Sequence, residues 1–177
     1  MKMTILYYSE TGTTEKMAAV VRDGILSCDA RIDVSLMNIK DEQNYDKSFL
    51  EESDAVIFGT PCYVANACWQ MQKFFDISLT CDLSGKLAAC FATAGCMWGG
   101  ADQAIMTILQ LALTRGMLAY ATGMEFGRPY IHLGPIAVHN DPNTELFTLF
   151  GKRVAQKALE LFGEAPRETR VQSGSAS

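Results

Sequence analysis

The chain has 177 residues, of which 49% are hydrophobic, and this favours one globular domain with a full core over a disordered chain. Its formal net charge of -5 argues against binding to nucleic acid or to an anionic membrane surface, because both require a basic surface. Six cysteines without a C-x-x-C pair, with only two histidines, argue against a metal site. A chain this long and this apolar does not need a disulfide framework, so reduced thiols in a cytoplasmic protein are predicted.

The first part of the chain alternates short apolar runs with amphipathic segments. A buried strand is predicted over 2–8, and a helix over about 13–27, where apolar residues recur at a spacing of three to four. The alternating pattern of 31–39 predicts a second strand. The charged segment 41–53 is predicted to connect it, with one helical turn, to a third strand over 54–61.

The second part continues the same alternation. The predicted elements are a helix over 66–78, a strand over 85–95, a helix over 100–116, a strand over 116–123, a loop rich in Gly and Pro over 122–142 and a helix over 143–163. In the first of these helices, the residues expected to face the core are Trp69, Met71 and Phe74 or Phe75.

Strands and helices alternate five times, which implies right-handed crossovers, a parallel sheet and helices on both of its faces. The predicted fold class is therefore α/β, a three-layer doubly wound sandwich around a five-stranded parallel sheet. The domain is predicted to cover 1–163, and the small polar residues of 164–177 predict a disordered tail. No apolar stretch reaches the length of a membrane span, and the first apolar run is too short for a signal peptide.

Three loops that follow predicted strands are dense in Gly, Ser and Thr. They read SETGTTE at 9–15, GTPCYVAN at 59–66 and TAGCMWGG at 93–100, after the first, third and fourth strands. In an open parallel sheet, ligands bind outside the carboxyl ends of the strands, where the strand order reverses. The three loops therefore predict a ligand site at that edge.

The first loop offers hydrogen-bond donors to an anion at the start of a helix. Its hydroxyls and the glycine that lets the backbone approach a ligand are Ser9, Thr11, Gly12, Thr13 and Thr14. The alternative is an ordinary helix cap, since Ser and Thr are favoured there. No Glu or Gln follows Thr11 or Thr13 at the third position, so a capping box is incomplete.

Known phosphate-loop motifs and the residues that flank this loop limit which kind of phosphate it could bind. The chain has no Walker A sequence, no G-x-G-x-x-G and no C-x5-R segment, which excludes three other phosphate loops. Glu10 and Glu15 flank the loop and would repel a polyphosphate. If the loop binds phosphate, a monophosphate ester fits best.

These stretches resemble the flavodoxin-like superfamily. SETGTTEKMA is similar to its FMN-phosphate loop, S-x-T-G-[NT]-T, while GTPCYVANACWQMQKFFD and FATAGCMWGGADQAI resemble loops of the WrbA-type NAD(P)H:quinone oxidoreductases and NADPH-dependent FMN reductases. The resemblance covers roughly residues 2–163. It implies the strand order 2-1-3-4-5, with FMN at the point where the order reverses.

The resemblance also implies which residues contact FMN. The polar loop residues named above would hold the phosphate. Two further sets would border the ring, namely Pro61, Cys62, Tyr63, Val64 and Asn66, and Thr93, Ala94, Gly95, Cys96, Trp98, Gly99 and Gly100. Tyr63 and Trp98 are the candidates for stacking on the ring in catalysis, with core or loop packing as the alternative for each.

The implied function is an FMN-dependent oxidoreductase that transfers electrons from NAD(P)H to quinone-like acceptors, in a homodimer or homotetramer. Arg115, Arg128 and Lys86 are candidates for contacting an NADP 2′-phosphate. The alternative is an electron-transfer flavodoxin, a low-potential carrier that docks to protein partners. Such carriers are more acidic around the flavin, so the mild charge of -5 favours the enzyme.

Four further residues have an open role. His132 and His139 lie in the long loop, where a solvated histidine is favoured over a proton donor to the quinone. Cys62 and Cys96 would lie close to the flavin, and a small buried hydrophobe is the favoured interpretation for both.

Overall fold

The computed structural model of the protein describes residues 1–40, 45–139 and 141–163, so the predicted tail over 164–177 lies outside the described residues. Parallel strands form a central sheet with helices against both faces, which confirms the predicted fold class. In chain order the elements are β1 (Lys2–Tyr7), α1 (Thr13–Cys28), β2 (Asp33–Asn38), α2 (Lys47–Glu52), β3 (Ala55–Tyr63), β4 (Asn66–Ala67), α3 (Trp69–Ile77), β5 (Leu87–Ala94), α4 (Ala101–Thr114), β6 (Leu118–Ala119), β7 (Ile136–Val138) and α5 (Thr144–Phe162).

The sheet order β2-β1-β3-β5-β6 confirms the predicted arrangement. Strand order reverses between β1 and β3, because β2 is added on one side of β1 and the later strands β3, β5 and β6 on the other. The register places Tyr7 beside Gly59, and Pro61 beside Thr93. The loops after β1, β3 and β5 therefore leave the sheet side by side at its carboxyl edge.

The fifth position of the sheet differs from the single strand predicted over 116–123. Two short strands share it, since β6 pairs with the start of β5 and β7 pairs with its end. The chain leaves the sheet after Tyr120, whose N–H donates to Ala88, and returns at Pro135, whose carbonyl accepts from Ala92. Periodicity could not show this interruption, because β6 is exposed and only two residues long.

The insertion over 120–135 is held against α5 by one buried arginine. Arg153 is 4% exposed, and its guanidinium donates to the Pro129 carbonyl at 2.8 Å. The same group lies over the ring of Phe126, 5.4 Å from its centroid. A buried guanidinium that loses such partners is costly, so this contact ties the insertion to the domain.

Replacing Arg153 by methionine should loosen this insertion. Methionine keeps much of the side-chain volume but cannot donate to the Pro129 carbonyl, so we expect the free energy of unfolding to fall by about 1–3 kcal/mol. Amide exchange measured by mass spectrometry should accelerate within 120–135 more than in β1 or β3. Arg22→Met, at an ion pair with Asp23 on the surface of α1, serves as the control and should change stability little. Unchanged exchange in the insertion would contradict this role of Arg153.

The two faces of the sheet carry separate apolar clusters, because alternate residues of each strand point to opposite sides. Met71, Phe74 and Phe75 of α3 are buried in one of them, as predicted. Trp69 was expected there as well but is 60% exposed. The helix begins at this residue, two positions before Met71, and a two-residue step turns a side chain to the far side of a helix.

Candidate functional site

A cleft of about 380 Å³ lies at the carboxyl edge of the sheet, where β1, β3 and β5 end. All three predicted loops contribute to its walls, as the parallel order requires. The lining residues are Ser9, Glu10, Thr11, Thr13, Thr14, Pro61, Cys62, Tyr63, Thr93, Ala94, Gly95 and His139.

The first loop curls around the Ser9 hydroxyl. Its oxygen accepts from the N–H groups of Gly12 and Glu15, both at 3.2 Å, which leaves the hydroxyl hydrogen to donate elsewhere. Gly12 has φ 91, a conformation that favours glycine. It is the N-cap residue of α1, and it has no side chain that could accept a hydrogen bond from the first turn. The first turn of α1 thus presents its free N–H groups and positive dipole end at the cleft.

The three threonines of the loop have different tasks. The hydroxyls of Thr11 and Thr13 make no hydrogen bond to the described part of the chain, and both residues line the cleft. Thr14 is buried, and its hydroxyl pairs with that of Thr93 on β5 at 2.9 Å. Thr11 and Thr13 therefore remain available to an anion, whereas Thr14 links the loop to the sheet.

The Thr14–Thr93 pair should show strong coupling in a double-mutant cycle. Thr14→Val or Thr93→Val alone leaves the other hydroxyl buried without its partner, so each should lower the free energy of unfolding by about 1–3 kcal/mol. The double variant removes both polar groups and should be less destabilised than the sum of the two single variants. Urea denaturation of the FMN-free protein measures all four forms, and strictly additive losses would contradict the pairing.

Glu10 supplies negative charge beside the cleft. Its carboxylate accepts from the Tyr8 hydroxyl at 2.6 Å and pairs with the Lys40 ammonium at 3.2 Å. The Tyr8 hydrogen bond, followed by Lys40, lowers the pKa of Glu10, and the same bond is the main reason why the pKa of Tyr8 rises to about 12. No lysine or arginine is among the described residues that line the cleft, so an anion there would rest on neutral donors.

The second loop is a tight hairpin at the end of β3. Pro61, Cys62 and Tyr63 line the cleft, and the chain then turns back through Val64 and Ala65, both at positive φ, into β4. A positive φ is unfavourable for a β-branched residue such as valine, so this turn carries backbone strain.

Two predicted ring contacts of this loop, Val64 and Asn66, lie outside the cleft lining. Val64 projects into solvent with full exposure at the tip of the turn. The Asn66 amide oxygen accepts from the Thr107 hydroxyl of α4 at 2.7 Å and from the N–H of Ala67. These contacts direct the Asn66 side chain towards α4.

The third loop divides in the same way. Thr93, Ala94 and Gly95 line the cleft, whereas the predicted contacts that lie outside its lining are Cys96, Trp98, Gly99 and Gly100. The Trp98 side chain is 91% exposed, because the loop turns outward after Gly95. Gly100 packs instead on the hairpin, where a methyl group would come 2.7 Å from the Ala65 side chain. Stacking of Tyr63 and Trp98 on a ring stays a prediction.

The two histidines separate. His139 lines the cleft. Its backbone N–H donates to the Ala94 carbonyl at 3.2 Å, which continues the pairing of β7 with β5. His132 instead stacks on Tyr130, with ring centroids 6.0 Å apart. His139 is exposed and lies in a turn, as the sequence interpretation of a solvated loop residue expects, but its position directly after β7 was not predicted. The apolar run before it, IAV at 136–138, was the signal for a strand end.

The described ranges contain neither a cluster of metal-binding side chains nor a helix that could span a membrane. No group of three or more His, Cys, Asp or Glu residues is arranged there to hold a metal ion. No helix in the same ranges is both long and apolar enough to cross a membrane.

Comparison with known proteins decides the family. The sequence model of the flavodoxin family matches residues 5–112, which include all three loops and the whole of β5. The chain belongs to the flavodoxin family. Membership implies FMN as the cofactor, and the first loop fits its phosphate, with free hydroxyls on Thr11 and Thr13 and a helix N-terminus behind them.

Individual relatives differ in activity. A flavodoxin from Clostridium saccharobutylicum is 41% identical over 167 residues, which cover 92% of this chain and 100% of that protein. An NAD(P)H dehydrogenase (quinone) from Paraburkholderia phymatum is 27% identical over 152 residues, covering 75% of this chain and 73% of its own. The crystal structure of a WrbA-like flavodoxin from Agrobacterium tumefaciens has a TM-score of 0.75 at 26% identity, covering 90% of this chain and 98% of its own.

Proposed function

We propose that the protein is an electron-transfer flavodoxin, a low-potential carrier that binds FMN in the cleft and exchanges electrons with protein partners. The observation that carries the proposal is the cleft itself, formed by three strand-end loops with neutral donors and one carboxylate. Similarity to a flavodoxin over 92% of the chain supports it, whereas the relatives with quinone activity are more distant.

The residues of the chain have distinct tasks in this proposal. The Thr11 and Thr13 hydroxyls and the first N–H groups of α1 bind the phosphate. Tyr63 and the segment 93–95 would border the ring. When bound, FMN supplies the redox chemistry, and the protein adjusts its potential through the surrounding charge.

A low potential follows from the charges around the cleft. Reduction adds negative charge to the cofactor, and a fixed carboxylate nearby disfavours that addition. Glu10 is ionised at neutral pH, as carboxyl groups ordinarily are, and Tyr8 and Lys40 lower its pKa further. Lys40 pairs with this carboxylate, but no lysine or arginine lines the cleft within the described ranges. This local charge is more informative than the net charge of -5, which had favoured the enzyme.

The volume of the cleft, about 380 Å³, lies within the range of ligand sites, about 300–1,000 Å³, and fits one cofactor. Two of the three candidates for contacting an NADP 2′-phosphate, Arg115 and Lys86, donate instead to the backbone carbonyls of Cys81 and Glu51 at the opposite edge of the sheet.

The second candidate function is an FMN-dependent NAD(P)H:quinone oxidoreductase in the cytoplasm. It is favoured by the TM-score of 0.75 to a WrbA-like flavodoxin and by relatives named as quinone dehydrogenases. NAD(P)H as donor, a quinone as acceptor and a homodimer or homotetramer belong to this candidate.

One set of measurements separates the two functions. The FMN-loaded protein is mixed with NADH or NADPH and benzoquinone, and nicotinamide absorbance is followed against free FMN as the blank. A carrier should give no quinone-dependent oxidation above the blank, and its reduction potential should lie below that of free FMN. Rapid quinone-dependent turnover would establish the oxidoreductase instead.

Substitution of Glu10 tests the electrostatic part of the proposal. Glu10→Gln should raise the reduction potential of the bound cofactor, because it removes a fixed negative charge beside the cleft. Glu160→Gln, on the exposed surface of α5, removes the same charge away from the site and should leave the potential unchanged. Equal shifts in both variants would mean that net charge, not this carboxylate, sets the potential.

A further inference from the structure

Two cysteines meet at the carboxyl edge of the sheet, on different loops. Cys62 lies near the end of β3, and Cys96 lies two residues beyond the end of β5. These strands are parallel neighbours, with Pro61 beside Thr93, so the two loops leave the sheet together. Cys62 is partly buried, whereas Cys96 is exposed, so the interpretation of Cys96 as a small buried hydrophobe is wrong.

Both sulfurs approach the same residue, Gly99. The Cys62 thiol donates to the Gly99 carbonyl at 3.2 Å. A methyl group built on Gly99 would lie 3.5 Å from the Cys96 sulfur. Burial raises the pKa of the Cys62 thiol, and the nearby Cys96 adds to this increase, as expected for two thiols close in space.

We propose that Cys62 and Cys96 are a reversible disulfide site, oxidised by a small-molecule disulfide. A disulfide requires Cα atoms about 4.4–6.8 Å apart, so the loop that carries Cys96 must adjust. It can do so because glycines 95 and 99 flank Cys96, and Gly95 has open space around it. The bond would join two walls of the cleft, and its formation does not depend on the proposed function.

The reaction balances without a further reactant. The Cys96 thiolate attacks the small disulfide, forms a mixed disulfide and releases one thiolate. The Cys62 thiolate then attacks the Cys96 sulfur and releases the second. The two protons lost by the cysteines are taken up by the two released thiolates, so the cysteine pair is oxidised and the small disulfide is reduced to two thiols. Exposed Cys96 makes the first attack because access controls the rate.

The other cysteines are poor partners for this reaction. Cys68, Cys81 and Cys90 are at most 2% exposed, and the Cys68 sulfur is in contact with the Thr60 hydroxyl in the core. Cys28 lies at the end of α1, away from the carboxyl edge. A disulfide reagent small enough to reach the protein surface should therefore act first at Cys96.

Oxidised glutathione tests the site. The reduced protein is incubated with it, quenched with acid and analysed by mass spectrometry, and thiols are counted after denaturation. We expect the loss of two hydrogens, two fewer thiols than the six of the reduced chain, and full reversal by dithiothreitol. Fragmentation of the linked tryptic peptides must place the bond between Cys62 and Cys96, because each peptide also carries a buried cysteine, Cys68 or Cys90.

Three variants make the test specific. Cys62→Ser should accumulate a glutathione adduct on Cys96, because the second attack is lost. Cys96→Ser should form neither adduct nor disulfide on the same time scale, while Cys28→Ser should behave as the unaltered protein. An unchanged thiol count, a lasting glutathione adduct on the unaltered protein, or a bond from Cys62 to Cys68 would overturn the proposal.

Discussion

Replacing Thr11 and Thr13 together by valine is expected to weaken FMN binding by about 10³-fold. Hydrogen bonds to a charged group are worth about 1.5–3 kcal/mol each, and both hydroxyls line the cleft without a partner in the described chain. Isothermal titration or quenching of FMN fluorescence measures the dissociation constant. The same variant should change the free energy of unfolding of the FMN-free protein by less than about 1 kcal/mol, since no bond within the fold is lost.

The control for this variant is Thr144→Val. Thr144 is the first residue of α5, as Thr13 is of α1, and it is exposed. It does not belong to any of the three loops. It reports any general cost of valine at a helix start, and FMN affinity should be unchanged. If Thr11→Val/Thr13→Val lowered stability as strongly as FMN affinity, the loop would be an ordinary helix cap rather than a phosphate site.

Alanine at Gly24 or Gly151 is expected to destabilise the protein by about 3 kcal/mol or more. On α1, a methyl group at Gly24 would lie 2.1 Å from the Thr148 carbonyl oxygen of α5, and one at Gly151 would lie 2.2 Å from that of Val21. Both contacts are with backbone, so no side chain can move aside, and the helices must separate. The gain in helix propensity from Gly to Ala, about 1 kcal/mol, is smaller than this cost.

Thermal and urea denaturation measure the effect, with Gly95→Ala as the matched control. A methyl group at Gly95 meets no atom within 4 Å, and the residue has no positive φ, so its stability should change little. Because α1 carries the phosphate loop at its start, FMN affinity should also fall in Gly24→Ala. A stable Gly24→Ala variant would show that α1 and α5 pack less closely than the distances indicate.

Several elements could be predicted from local pattern alone. The apolar run before SETGTTE becomes β1, and the three-to-four spacing after it becomes α1, since Met17, Val21 and Ile25 are all buried. Repeated alternation of strand and helix then implied parallel order, which brings the first, third and fourth loops to one edge without knowledge of any contact.

Other features depend on distant partners. The fifth sheet position is divided between β6 and β7 because both pair with β5, although the chain between them is an insertion. His139 reaches the cleft through the same pairing, and Trp69 lies outward because it precedes Met71 by two positions at the start of α3. Short segments of this kind lack a periodic signal of their own.

The sequence by itself determined the fold and predicted the edge of the sheet at which a ligand would bind, because hydrophobic period and loop composition are local. It left SETGTTE open between a phosphate loop and a helix cap, and the family resemblance favoured the phosphate loop. Tertiary structure alone decided which donors remain free: Thr14 is paired with Thr93, whereas Thr11 and Thr13 face the cleft. It also placed Glu10 beside Lys40 and removed Trp98 from the cleft wall. These features depend on contacts between residues that are distant in the sequence, and residue spacing along the chain does not show such contacts.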